Sequence, residues 1–523
     1  MTRPTATAKR GHRLWIPLLI LALATGAYLY LSLQPELERN LKGWATGALV
    51  IVTSILLFLW FLLLGRFHWK TRLAGVVLVA ALWFGAKATL RIDGTASGIG
   101  LPSIAWKWSS NSNAVWPTAE TPEASPAAAA TVPAPDVADV PQFFGPNRDG
   151  HAPTVSLDPD WASHPPKELW RHPVGSGWSA FAVSGGRAIT MEQRGDEETT
   201  SCYDVATGTT VWNHADKVRF EQWQSGVGPH ATPAIHDERV YTYGGTGLLN
   251  CLDETTGTLV WSQSVLETHE IPNLEWGISG SPLIVDDLVV VTGGDKRGPT
   301  LLAFDRLTGV PRWTGGKDKA SYAAPLIATV AGLRIILSNN RETLTGHDPA
   351  TGRVLLDYGW QPSQWPRASQ PVVVGESQII LSAGYGLGCS LLNITTHGDQ
   401  LQAEEVWHNL KLKTQFNSVA LRDGHVYGLD DGKFACLRVS DGERLWKEGR
   451  FGSGQSILAG DFAIIQEERG DVVLARVTPD KYQELGRLEA LSVKTWTHPV
   501  LAGPYLLVRN DQEAVCYKLP TKN

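Results

Sequence analysis

The side chains best placed to do chemistry in this 523-residue chain recur in step with a repeat, and they are mostly rings. Short segments that usually carry a proline (Pro233, Pro282, Pro325, Pro371, Pro499) align into a column three positions earlier. It reads Trp178, His230, Ser279, Tyr322, Ala368, Phe416, Gly454 and Trp496. Two positions on, a second column reads Ala180, Thr232, Ser281, Ala324, Gln370, Ser418, Ser456 and His498. Large rings gathered in one column, with Arg367 beside them, define an aromatic, hydrogen-bonding funnel of the kind that takes a ligand. The candidate binding residues are therefore Trp178, His230, Tyr322, Arg367, Phe416, Trp496 and His498. The competing reading is that these rings only fill a central channel and wedge its walls apart.

Other chemistry lacks its signature. Cys202, Cys251, Cys436 and Cys516 fall in one slot of different repeats, with Cys389 near it. Equivalent slots lie too far apart for the short Cα spacing of a disulfide, so the thiols read as small buried hydrophobes. Gly384-Tyr385-Gly386-Leu387-Gly388 joins two strands and opens no helix, unlike a phosphate-binding loop. Neither a Gly-x-Ser-x-Gly elbow nor a Gly-Lys-Ser/Thr phosphate loop occurs. The 14 histidines show no metal-ligand spacing. No catalytic residue and no metal ligand is assigned.

The elements that must position the columns are strands. The phrase LLNCLDETTGTLVWSQ (248–263) is a strand, a tight turn and a second strand closing on Trp261. It returns at Cys202–His214, Ala303–Gly315 and Cys436–Glu448, and more weakly at Gly346–Tyr358. Asp and Thr side chains bond the backbone in such a turn, Gly supplies the positive φ that ends it, and the tryptophan reads as a knob between units. A period of roughly 40–50 residues marks a β-propeller. Eight second strands are legible, beginning at Arg187, Arg239, Leu288, Arg334, Gln378, His425, Phe462 and Tyr505. The last repeat stops at Cys516–Leu519 without turn or tryptophan, whereas an orphan Glu168-Leu169-Trp170 precedes the first. A ring completed by strand 168–171 accounts for both ends and leaves only short edges.

The fold class expected is all-β, an eight-bladed propeller over 141–523, preceded by three membrane helices and a disordered linker. Apolar runs Leu14–Leu33, Ala45–Gly65 and Leu73–Leu90 place three transmembrane helices within 14–92. Arg3, Lys9, Arg10 and Arg13 in the tail 1–13, with Arg66, Lys70 and Arg72 between runs two and three, put the amino terminus inside. The propeller then lies outside the cytoplasmic (inner) membrane, in the periplasm of a Gram-negative cell. Residues 93–140, rich in Pro and Ala, read as a disordered tether. A net charge of −6 excludes a nucleic-acid footprint.

The Asp-x-x-Thr-Gly-x-x-x-Trp phrase at Asp253–Trp261 resembles the repeat of pyrroloquinoline-quinone-type propellers. That family includes quinoprotein dehydrogenases and a non-enzymatic propeller lipoprotein that assists outer-membrane protein assembly. PQFFGPNRDG (141–150), RASQPVVV (367–374), GYGLGCSLL (384–392), LKTQFNS (412–418) and KTWTHPVLAG (494–503) resemble a membrane-linked group of planctomycete-like bacteria whose activity is undefined. The dehydrogenase resemblance implies a quinone held between a Trp and a disulfide of adjacent cysteines, calcium on a Glu and an Asn, and an Asp base. This chain has no adjacent Cys pair, and Glu221, Glu270 and Glu275 match no such pattern. The reading is a scaffold without a cofactor, leaning away from an enzyme, with the membrane and a protein or peptide as partners. The alternative is a membrane-bound PQQ-dependent dehydrogenase with calcium that passes electrons to membrane quinone.

Overall fold

The structure, a computed structural model, describes residues 13–109, 136–360 and 366–522. The tail before Arg13 and most of the Pro/Ala-rich stretch (110–135) lie outside the described residues. The chain divides into two compact units, Met1–Asn111 and Ser112–Asn523.

In the first unit, α1 (Trp15–Leu33), α2 (Arg39–Leu59, continued by a π turn over Trp60–Leu64) and α3 (Trp69–Thr89) are long and apolar enough to cross a membrane. Both α2 and α3 begin before their apolar runs, because backbone hydrogen bonding extends a helix through polar residues that hydropathy leaves out. The chain does not pass from α3 into a tether at residue 93. Strands β1 (Leu90–Thr95) and β2 (Pro102–Trp106) pair antiparallel directly after the helix. Their apolar residues alternate with polar ones, a period-2 signal masked by the composition of the longer stretch.

The second unit contains eight four-stranded antiparallel sheets. Seven are built from consecutive strands: blade 1 (182–216), blade 2 (234–264), blade 3 (283–315), blade 4 (326–359), blade 5 (372–409), blade 6 (420–448) and blade 7 (455–489). Blade 8 takes three strands from 500–518 and its outermost strand, β3 (Lys167–Pro173), from the beginning of the unit. Trp170 stands opposite Cys516 in that sheet, as Trp212 stands opposite Cys202 in blade 1. The ring is thus closed by the early strand.

The repeated turn works by side-chain capture. Asp204, Asp253, Asp305 and Asp348 each accept hydrogen bonds from the amides two and three residues on and from the Thr hydroxyl three residues on. The glycine at the end has φ near +70° (Gly208, Gly257, Gly309, Gly352) and lies flat under the tryptophan of the blade before, where a Cβ would strike the ring at 2.4–2.7 Å. Each indole then donates to a carbonyl in the neighbouring turn: Trp170 to Val205, Trp212 to Glu254, Trp261 to Arg306, Trp313 to Pro349, Trp407 to Val439 and Trp446 to Thr478, at 2.8–3.1 Å. Two blades lack the knob: Leu356 holds its slot in blade 4 and Gly486 in blade 7. Trp161, from the segment preceding β3, lies against Gly486 and fills the second gap. All five cysteines are buried and free.

Candidate functional site

The two columns occupy the segments that lead into the innermost strands, which are only three to five residues long. Sheet pairing aligns Ile457 with Ala182, which moves the seventh members of the two columns from Gly454 and Ser456 to Ser453 and Gln455. The second column mostly ties blade to blade. The Thr232 amide donates to the Ser281 hydroxyl, and the Gln370 amide to that of Ser418. The Gln455 side chain donates to the carbonyls of Phe416 and Trp496.

One end of the central channel is covered by the chain itself. Residues 136–152 cross the inner strands as a strap. Val140 exchanges backbone hydrogen bonds with Val183, Pro141 accepts from Ile235, and Gly150 and Ala152 bracket Leu458. Arg148, buried with no carboxylate partner among the described residues and pushed down to about 9 by burial, donates to the carbonyls of Ser281 and Pro282. Phe143 and Phe144 meet the His498 ring edge-on, with centroids 5.0 and 5.3 Å away. Burial holds that imidazole neutral, pushed down to about 3.

The first column brings part of the expected site together. Trp178 and Trp496 touch, centroids 4.9 Å apart, and Phe416 sits against Trp496 at 5.4 Å. The Trp178 indole donates to Ser225 and the Trp496 indole to the Glu468 carboxylate. Lys494 places its ammonium 4.2 Å from the Trp496 ring and 5.3 Å from that of Trp178, and burial lowers its pKa. Tyr322 and His230 pair instead with rings from loops: Trp276 lies 5.4 Å from Tyr322, and Phe220 lies 5.9 Å from His230, whose imidazole burial pushes down to about 4. A small hairpin at 221–227 leans in beside them, with Trp223 exposed at its turn and Gln224 accepting from the Trp276 indole.

Two candidates stand elsewhere. Arg367 is fully buried, its guanidinium 4.8 Å over the Trp360 ring and hydrogen-bonded to the Trp360 carbonyl. His498 belongs to the strap contact, two residues on from Trp496 and turned the other way. Sequence columns missed Lys494, Glu468, Phe220 and Trp276, because loops do not share the repeat's register. The WTH phrase beginning two residues after Lys494 was the one signal available.

The fold defines the class: an eight-bladed β-propeller preceded in the chain by three apolar helices. Residues 196–448 match the family model described as outer membrane protein assembly factor BamB. No curated protein matches the chain. Among solved structures, a europium-containing methanol dehydrogenase superposes with a TM-score of 0.55 at 12% identity, over 73% of this chain and 98% of that one. The quinohemoprotein alcohol dehydrogenase ADHIIG of Pseudomonas putida HK5 gives 0.54 at 12%, over 76% and 82%. BamB of Moraxella catarrhalis gives 0.49 at 15%, over 68% and 100%. Such identities speak for the fold, and function has to be argued from the site.

The thiols and tryptophans do not form the quinone sandwich that the dehydrogenase resemblance implies. The thiols are buried in separate blades, and burial drives them up, away from the reactive thiolate. Trp178 and Trp496 already touch, so a planar group enters between them only by displacing one. What the mouth offers is stacking surface and one amine on an aromatic bed.

Proposed function

We propose that this protein is a membrane-anchored binding scaffold, with its propeller outside the cytoplasmic membrane and its aromatic mouth as the surface that takes an extended peptide segment of a partner protein. The observation that carries this reading is the continuous Trp178–Trp496–Phe416 cluster capped by Lys494, at the channel end away from the strap. Rigid aromatic rings supply large contact area at little entropic cost, and they dominate the binding energy of protein interfaces. Lys494 adds a cation suited to a carboxylate or to the carbonyls of an extended chain. The anchor follows from α1–α3. Arg13 and the cluster Arg66, Lys70 and Arg72 mark one side, and Glu36 and Glu38 dilute the charge of Arg39 and Lys42 on the other.

The test is a photo-crosslinking residue at Trp223 in the full chain within its own membranes. A protein adduct that disappears in Trp496→Ala is the expected result. If no adduct forms, and the chain instead takes up pyrroloquinoline quinone with calcium saturably and reduces a dye with an alcohol, the scaffold reading fails.

A further inference from the structure

We infer that the β1–β2 hairpin is a foot lying in the interfacial layer of the lipid bilayer, with its outward face against lipid. The distribution of side chains along it is the reverse of a water-borne hairpin. Ile92, Ile104 and Trp106 are 61, 65 and 51% exposed, whereas Arg91, Asp93 and Ser103 at the alternate positions are half-buried and Thr95 is buried. Register sets Leu90 opposite Trp106 and Ile92 opposite Ile104, so these four residues share one face. Trp108 stacks on Trp106, centroids 4.9 Å apart, and extends that apolar face.

The inward side carries Arg91, Asp93 and Ser103 together with the small Ala105. Arg91 lies 3.5 Å from Asp93 and donates to the carbonyls of Lys107 and Ser109. In water such a pair of strands would turn its apolar face inward, and two strands alone are marginal. Apolar-out, polar-in strands are stable where the outer medium is lipid. Unpaired strand edges exclude the hydrocarbon centre and leave the interface.

Position agrees with polarity. β1 begins at the residue after the last of α3, and Lys107 Nζ donates to the Lys87 carbonyl in the last turn of that helix. At its far end the hairpin turn reaches α2, with Gly100 packed against the Trp44 ring. The hairpin therefore runs across the helix ends, the level at which tryptophans collect and lysines reach headgroups.

The inference rests on α1–α3 spanning the membrane, and the experiment separates the two. In nanodiscs of phosphatidylcholine and phosphatidylglycerol, the full chain carries one nitroxide at Ile104→Cys or Ile92→Cys, the native thiols being buried. Leu56→Cys on α2 serves as the lipid reference and Leu307→Cys, in the exposed turn of blade 3, as the water reference. Labels at 104 and 92 should collide more with oxygen than with a water-soluble nickel complex, as at 56, with the ratio inverted at 307. If 104 and 92 behave like 307 while 56 remains lipid-like, the foot is wrong and the helices stand. A water-like 56 removes both.

Discussion

Cutting Trp170 back to alanine tests the closure of the ring. This side chain is buried on β3, pairs with Cys516 and donates its indole N–H to the Val205 carbonyl at 2.8 Å. Its ring lies on Gly208 of the blade 1 turn. Removing a buried tryptophan costs about 4 kcal/mol, which includes the orphaned carbonyl. At 1.36 kcal/mol per tenfold, detachment of β3 should become about a thousandfold more frequent. The native Cys516 thiol reports that event, because it is fully buried under this strand. Peptide-resolved maleimide labelling under native conditions should show Cys516 reacting far faster in Trp170→Ala, with Cys251 in blade 2 little changed. Trp212→Ala, with the same geometry inside the continuous chain, should expose Cys202 to a similar degree. If Cys516 stays inert, or all five thiols rise together, β3 is not a separable clasp and the reasoning fails.

Three further outcomes follow from buried polar groups. Burial raises the Glu198 carboxyl to about 7, so the folded state keeps a proton that the unfolded chain loses above about 4.5, and stability falls as pH rises through that window. Glu198→Gln, which keeps an acceptor for the Gly245 amide, should be more stable than wild type by up to about 3 kcal/mol at pH 8 and equal to it at pH 4, measured by denaturant midpoints. His498 titrates the other way: neutral in the fold, it costs stability as pH drops below about 6.5, by roughly 3 kcal/mol at pH 4.5, and His498→Phe should flatten that limb of the curve. Arg148→Met removes both bonds to blade 3, so residues 136–152 should become susceptible to protease while the blades remain resistant, as read by mass spectrometry of the fragments.

Repetition makes the ring legible in the sequence. The Asp-x-x-Thr-Gly turn is local chemistry, satisfied within five residues, and the orphan Glu168-Leu169-Trp170 has meaning only against the unfinished repeat at Cys516. Runs of apolar residues likewise marked the three helices, since hydrocarbon thickness is a condition on composition. The strap was not visible. PQFFGPNRDG has no period, and its partners at Ile235, Ser281 and Leu458 are brought to one place only by the ring. For the same reason Arg367 could be set beside one column and His498 within the other, and both yet point away from the mouth. Lys494, Phe220 and Trp276 reach it from loops that carry no repeat. Sequence by itself determines what each repeat does with its own neighbours. Which side chains meet at the axis depends on eight sheets closing around it, a long-range condition that no local pattern encodes.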